Sequence, residues 1–352
     1  MTILFAILLF SFLIFIHELG HFAAAKLSGV QVNEFSLFMG PAIWKKQIGE
    51  TLYAIRTIPI GGYCAMEGED GDSENPRAFT RAAWWKRLII LVAGAAMNFV
   101  VGVLIMLVVY LPADQVVIPV IDSFEPFSTV DGLDGLQPGD RLLEIDGEKI
   151  YVYSDFSMIL MLNEGEYHDL VVERNGHKVT LEHFRMEKHE VTDEYGTRML
   201  YGMNFTLENL DFGKKVDYAW NQSLDTVRMV RLSLQMLLSG KAGFSDMTGP
   251  VGIVQQMSTV AEDSSTWLDA LLNMLYFGGF IAINLAVMNL LPIPALDGGR
   301  VVGVLITTVA EAVTGKKINP KIEGYLHGAG MILLLGLMAL VMFKDIIFLF
   351  KG

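Results

Sequence analysis

The sequence predicts an α-helical polytopic membrane protein with about four spanning helices, a membrane-associated β-hairpin region and one inserted α+β domain. Three observations carry this. Of the 352 residues, 52% are hydrophobic and 18% charged, which is too apolar for an ordinary soluble enzyme and suits a membrane protein with a soluble part. Four segments, 2–27, 88–111, 271–291 and 328–350, are long and apolar enough to cross a hydrocarbon core of about 30 Å. The net charge of -13 is local, because residues 112–269 hold 27 acidic against 12 basic side chains, so the acidity belongs to one polar insert. Nothing in that balance suggests nucleic acid as a partner, and the apolar segments imply the lipid bilayer. The single cysteine, Cys64, excludes an intramolecular disulfide and a cysteine metal cluster.

The first segment is uncharged from Ile3 to Ile16 and still apolar from Phe22 to Ala25, yet it encloses His17-Glu18-Leu19-Gly20-His21. A signal peptide is not the reading, since no basic residue precedes the apolar run and the run is long enough to span. On a helix, positions i and i+4 share a face, so His17 and His21 can reach one metal ion, with Glu18 beside them to take a proton from water. A chance HExxH is common on soluble helices, where it can be a solvated polar face. In a spanning helix that option is closed, and three ionisable groups need a compensating partner. A Zn2+ ion would be that partner.

The loop between the first two spans carries Lys45, Lys46, Arg56, Arg77, Arg81, Lys86 and Arg87, and Arg300, Lys316, Lys317 and Lys321 lie between the last two. The excess of cations expects both loops on the cytoplasmic side, and both termini with the acidic insert on the other. Trp84 and Trp85, with Lys86 and Arg87, should anchor the second span at the interface. Residues 51–59 alternate as a strand before Gly61-Gly62, and 30–48 are aromatic and β-branched without helical periodicity. They read as a β-hairpin sheet at the membrane's inner edge, with an anchoring loop as the alternative. A bare strand edge there could hold an extended substrate through its backbone, which makes Gly61 and Gly62 candidate substrate contacts.

The insert, residues 115–205, has the size of one small domain. Turn signals fall at Gln137-Pro138-Gly139-Asp140, Asp146-Gly147 and Asn175-Gly176. Residues 210–239 look helical and amphipathic. The expected partition is a membrane part at 1–111, the inserted domain at 115–205, a helical linker at 206–266 and a second membrane part at 267–352. His168, His177, His183 and His189 fall in the insert as polar-face residues, and His327 is expected at an interface.

Two histidines leave a catalytic zinc one protein ligand short. Asn289-Leu290-Leu291-Pro292-Ile293-Pro294-Ala295-Leu296-Asp297-Gly298-Gly299 supplies a candidate, because its prolines end the third span and unwind the backbone, which is tolerated at that depth only where it is buried or lines a cavity. Asp297 is then either a metal ligand or the N-cap of a helix at 299–312.

The histidine motif on a first spanning helix, the 289–299 motif after a late one, and a single insert containing Leu136-Gln137-Pro138-Gly139-Asp140-Arg141 together resemble the bacterial site-2 protease family of intramembrane zinc metalloproteases with one PDZ domain. The resemblance covers nearly the whole chain. It implies that His17, His21 and Asp297 bind zinc, that Glu18 is the general base, that Asn289 contacts substrate, and that the insert is PDZ-like. Thr248-Gly249-Pro250-Val251-Gly252-Ile253 is similar to a family segment preceding the third span. The family's Gly-Pro-x-x-Asn of the second span is Gly94-Ala95-Ala96-Met97-Asn98 here, which keeps the glycine and asparagine as supporting residues for close helix packing but loses the proline. The implied activity is hydrolysis of peptide bonds in or near transmembrane segments in a bacterial inner membrane, as in regulated intramembrane proteolysis of anti-sigma factors or remnant signal peptides, with an upstream site-1 protease supplying trimmed substrates. A catalytically silent PDZ-bearing scaffold is the alternative.

Overall fold

The computed structural model describes residues 2–351 except 70, 72, 133, 164, 194–195, 244–246 and 316–319. Lys316 and Lys317 of the second basic loop thus lie outside the described residues. The chain forms two compact units, residues 1–106 with 226–352, and residues 107–225.

Among the described residues, four helices are long and apolar enough to cross a membrane: α1 (Thr2–Ser28), α2 (Trp84–Tyr110), α6 (Trp267–Asn289) and α8 (Pro320–Lys351), the last over His327–Ile347. Helix α2 starts four residues before the expected 88, so Trp84 to Arg87 make its first turn. Lys86 there donates to the carbonyl of Ser28 at 2.9 Å and fixes the end of α1 to the start of α2. Small residues let the helices approach closely, as van der Waals packing in lipid requires. A Cβ on Gly20 would strike the Ala93 carbonyl, and one on Gly102 would strike Ile283 of α6. One apolar core joins Ala6, Leu9 and Leu13 of α1 to Ile281 and Ala282 of α6 and to Met257 of a shorter helix, α5 (Pro250–Glu262). In the segment 248–253, the backbone N–H groups of Gly249 and Gly252, at the start of α5, both donate to the buried Asp345 carboxylate of α8 at 3.0 Å. An anion at a helix N-terminus satisfies donors that the helix itself leaves open.

Strands β1 (Val32–Ile48) and β2 (Thr51–Met66) form the expected hairpin, but each is longer than a simple hairpin needs and bends. Phe38 (φ 70°) and Gly40 (φ 87°) turn β1, and Gly61 (φ 77°) turns β2. The run 32–37 is therefore flanked by 62–66 on one side and by 52–55 on the other, while 42–48 pairs back on 51–56. The run 62–66 has a strand partner on one side only among the described residues. Its inner face joins Phe35, Cys64 and Met66 to Ala24 and Ala25 of α1, Ile90 and Leu91 of α2, and Val304 of α7 (Asp297–Thr314).

The second unit carries a six-stranded sheet in the order β10 (Met203–Asn209), β3 (Gln115–Phe124), β4 (Arg141–Ile145), β6 (Tyr167–Arg174) and β7 (His177–Arg185), with β5 (Glu148–Lys149) beside β4. A separate hairpin is made by β8 (His189–Asp193) and β9 (Gly196–Leu200). The sheet's last strand runs past the expected boundary at 205, because Leu207 to Asn209 continue the ladder opposite Val117 to Gln115. Its core packs Ile121, Leu142, Ile145, Leu170 and Val172 against Phe156 and Ile159 of α3 (Ser154–Leu162). The turn at 137–140 is locked by Asp140, which is fully buried, accepts from the Gln137 N–H at 2.8 Å and is gripped by Arg174 through two bonds of 2.7 Å. His168, expected on a polar face, is buried and bonded through Nδ1 to Asp146 at 2.8 Å. The amphipathic segment is α4 (Phe212–Ser239), whose Tyr218 meets Tyr110 edge-on at 4.8 Å.

Candidate active site

The metal-ligating residue types of α1 sit where its helical spacing puts them. The imidazoles of His17 and His21 stand at 85° to each other with Nε2 atoms 3.1 Å apart. Asp297, 276 positions past His21 in the sequence, brings Oδ2 to 3.2 Å from His17 Nε2 and 3.4 Å from His21 Nε2. These three groups form the one cluster of its kind among the described residues whose ligand atoms converge within 4.8 Å.

The surroundings decide which atoms point inward. The Nδ1–H of His21 donates to the Ile90 carbonyl at 2.8 Å, which fixes the tautomer and leaves the Nε2 lone pair facing the cluster. Oδ2 of Asp297 is buried and has no well-formed hydrogen bond among the described residues. Two imidazole nitrogens and a carboxylate oxygen crowded together can share a cation, and two nitrogens with one oxygen suit zinc. The residues therefore fit the ion.

Asp297 reaches the cluster because the chain unwinds after α6. Leu296 holds the N-cap position of α7 with no side-chain bond, and Asp297 is the first helical residue, one position past the cap. Gly298 and Gly299 pass so close to the backbone of Leu290, Leu291 and Ile293 that any Cβ would collide. Ala295 sits in the left-handed region (φ 86°), and its N–H donates to His327 Nδ1 of α8 at 3.2 Å. His327, expected at an interface, thus supports the loop that carries Asp297. The sequence held no local signal for it, since the contact is made by a backbone N–H 32 residues away.

The remaining candidates are placed as follows. Asn289 is the last residue of α6 and puts its amide 3.5 Å from His17 Nδ1. Gly62 lies over Glu18, where a Cβ would be 3.7 Å from Glu18 Cγ, while Gly61 makes the bend before it. Asn98 is 1% exposed, with its amide oxygen buried and without a hydrogen-bond partner among the described residues. Cys64 is buried in the sheet's apolar core, and burial pushes its thiol up, which disfavours the thiolate a ligand or nucleophile would need. Gly94 is more closely involved than general helix packing required: a Cβ there would collide with the imidazoles of both His17 and His21. Gly94→Ala should weaken zinc binding by about 10- to 100-fold, as changes immediately outside a metal's ligands do. Zinc titration of the purified variant checks this, and a wild-type affinity would refute it.

The family model for peptidase family M50 matches residues 5–337. A protein of Clostridium acetobutylicum is 34% identical over 99% of this chain and 98% of its own length, and one of Fusobacterium nucleatum is 34% identical over the whole of both; each bears the name "Putative zinc metalloprotease". The "Zinc metalloprotease RasP" of Oceanobacillus iheyensis is 28% identical over 98% of both chains. The chain belongs to peptidase family M50, the site-2 protease family, and is a multi-pass membrane zinc metalloprotease. The catalytically silent scaffold is thereby set aside.

Proposed function

We propose that the protein is an intramembrane protease that cuts peptide bonds in or near the transmembrane segments of membrane proteins, with zinc held by His17, His21 and Asp297 and with Glu18 as general base. The convergence of two histidines, on a helix long and apolar enough to span, with the carboxylate of Asp297 carries this reading. Zinc, when bound, supplies the Lewis acidity that lowers a water's pKa toward about 7 and polarises a peptide carbonyl. Glu18, next along the chain from His17, accepts the proton of the attacking water and returns it to the leaving nitrogen. Asn289, whose side-chain Nδ2 lies 3.5 Å from His17 Nδ1, stands beside the ligand set, where its amide can meet substrate.

A helical substrate hides its carbonyls and must unwind to be cut, so helix-weakening residues in the substrate favour cleavage. The edge 62–66 compensates the broken bonds by pairing with the unwound segment, and Gly62 lets that segment lie over Glu18. The test is cleavage of a membrane substrate by the purified full chain in detergent, with the product ends mapped. Chelation should stop cleavage and zinc restore it, with the cut inside the apolar segment. Cuts confined to water-exposed regions, or insensitivity to chelation, would refute the reading.

The acidic unit and both termini are assigned to the extracytoplasmic side of a bacterial inner membrane by the basic-loop asymmetry. In a Cys64→Ser background, a cysteine at Glu166 should react with an impermeant reagent in intact cells and one at Lys46 should not; the opposite pattern inverts the topology. The acidic unit is read as PDZ-like, acting on which substrates arrive and not on chemistry. An open cavity of about 530 Å³, lined by Tyr153 and Phe156 at α3, by Val191 and Met199 of the β8–β9 hairpin and by Met203 and Phe205 of β10, supports capture of a peptide over simple exclusion of bulky ectodomains. Regulated proteolysis of substrates first trimmed by another protease fits that role.

A further inference from the structure

Helix α7 does more than deliver Asp297. Positions 297, 300, 301 and 304 share one face of it, and each meets something different. Asp297 joins the histidines, Val301 and the fully buried Val304 pack on the apolar core with Cys64 and Met66, and Arg300 forms an ion pair with Glu69. Both charged side chains are only 17% exposed. The opposite face, with Ile306, Val309 and Val313, is exposed and apolar.

Arg300 is badly placed for a helix considered alone. A cation in the first turn opposes the macrodipole, and a mostly buried guanidinium loses hydration. A cation kept only to mark the cytoplasmic side would sit in water instead. Glu69 explains the position. One of its oxygens takes the guanidinium while the other accepts from the Met66 N–H at 3.2 Å, at the end of the strand run that passes Glu18 at Gly62. The chain of contacts therefore leads from the strand edge, through Met66 and Glu69, to Arg300 and the first turn of α7.

We propose that Arg300 is a positioning residue: through Glu69 it fixes the first turn of α7, and with it Asp297, against the end of the β2 strand that borders Glu18. The inference rests on the reading of Asp297 as a metal ligand. It assigns the Glu69–Arg300 pair a role in setting the distance between the edge that takes substrate and the group that takes zinc.

The test uses the purified full chain in detergent and measures zinc release into a competing chelator together with cleavage of a membrane substrate. Glu69→Gln and Arg300→Met should each speed zinc release and lower kcat by about 10- to 100-fold, the range for residues that orient a metal's ligands. Arg300→Lys should recover part of both, because it keeps the charge but not the planar fork. The double variant should be no worse than the poorer single one, since neither charge is then left unpaired. If Arg300→Met does not fold, Glu69→Gln, which preserves shape and leaves the loop cations untouched, carries the test. Wild-type zinc release in Glu69→Gln, or a double variant whose defect is the product of the two single defects, overturns the proposal. Asp297→Ala separates the two readings: if it keeps zinc, the metal-ligand assignment fails and the positioning role falls with it, whereas zinc loss there with normal release in the pair variants refutes the positioning role alone.

Discussion

Glu18→Gln should lower cleavage of a membrane-embedded substrate by about 10²- to 10⁴-fold, the range lost with a general acid–base group, while the purified protein keeps its zinc. The reasoning is geometric. The ligand atoms that converge belong to His17, His21 and Asp297, and Glu18 is not among them, so the substitution removes a proton acceptor and no metal contact. Glutamine keeps the size of the side chain beneath Gly62, so the strand edge over it need not move. Metal analysis and turnover are measured on the same preparation. Cleavage at the wild-type rate with full zinc would mean that another group takes the water proton; loss of both together would mean that Glu18 holds the site in shape.

Much of the site was legible in the sequence because it is written in short spacings. His21 is four positions past His17, and a helix turns that spacing into a shared face without help from the rest of the fold. Pro292, Pro294 and the glycines around Asp297 likewise announce an unwound loop. The supporting contacts were not legible, because they join residues whose relation exists only after packing. The Ile90 carbonyl that fixes the His21 tautomer and the Ala295 N–H that engages His327 are backbone groups, which carry no side-chain signature. Gly94 read as a packing glycine, and only the distance to both imidazoles shows how little room the site leaves. The hairpin was visible by alternation, yet its folding into four runs depends on positive φ angles at Phe38, Gly40 and Gly61, and phenylalanine gives no warning of that conformation. His168 was misplaced on a polar face for a related reason: its partner Asp146 is 22 positions away, so the pair that permits its burial has no local pattern.

Asp297→Ala should cost the protein both its zinc and its activity, and the loss of metal should exceed the roughly 100-fold upper range seen for residues outside the ligand set. Two histidines alone leave the ion without the third protein ligand that catalytic sites keep. A capping role would forecast something else. Removing an acidic group from the first turn of a helix costs about 0.3–1 kcal/mol, so a purely structural Asp297 would give a small fall in Tm with zinc retained. The N-cap position belongs to Leu296 and the Asp297 carboxylate oxygen is buried against two imidazole nitrogens, so little of its effect can come from the helix end. Zinc per protein after exhaustive dialysis, measured beside Tm, separates the two roles in one variant. Retention of zinc near the wild-type level would return Asp297 to the helix and leave His17 and His21 in need of another third ligand. Loss of zinc with a small change in Tm would locate the site's weak point in the loop after α6, where Gly298, Gly299 and His327 together hold the one ligand that α1 cannot provide.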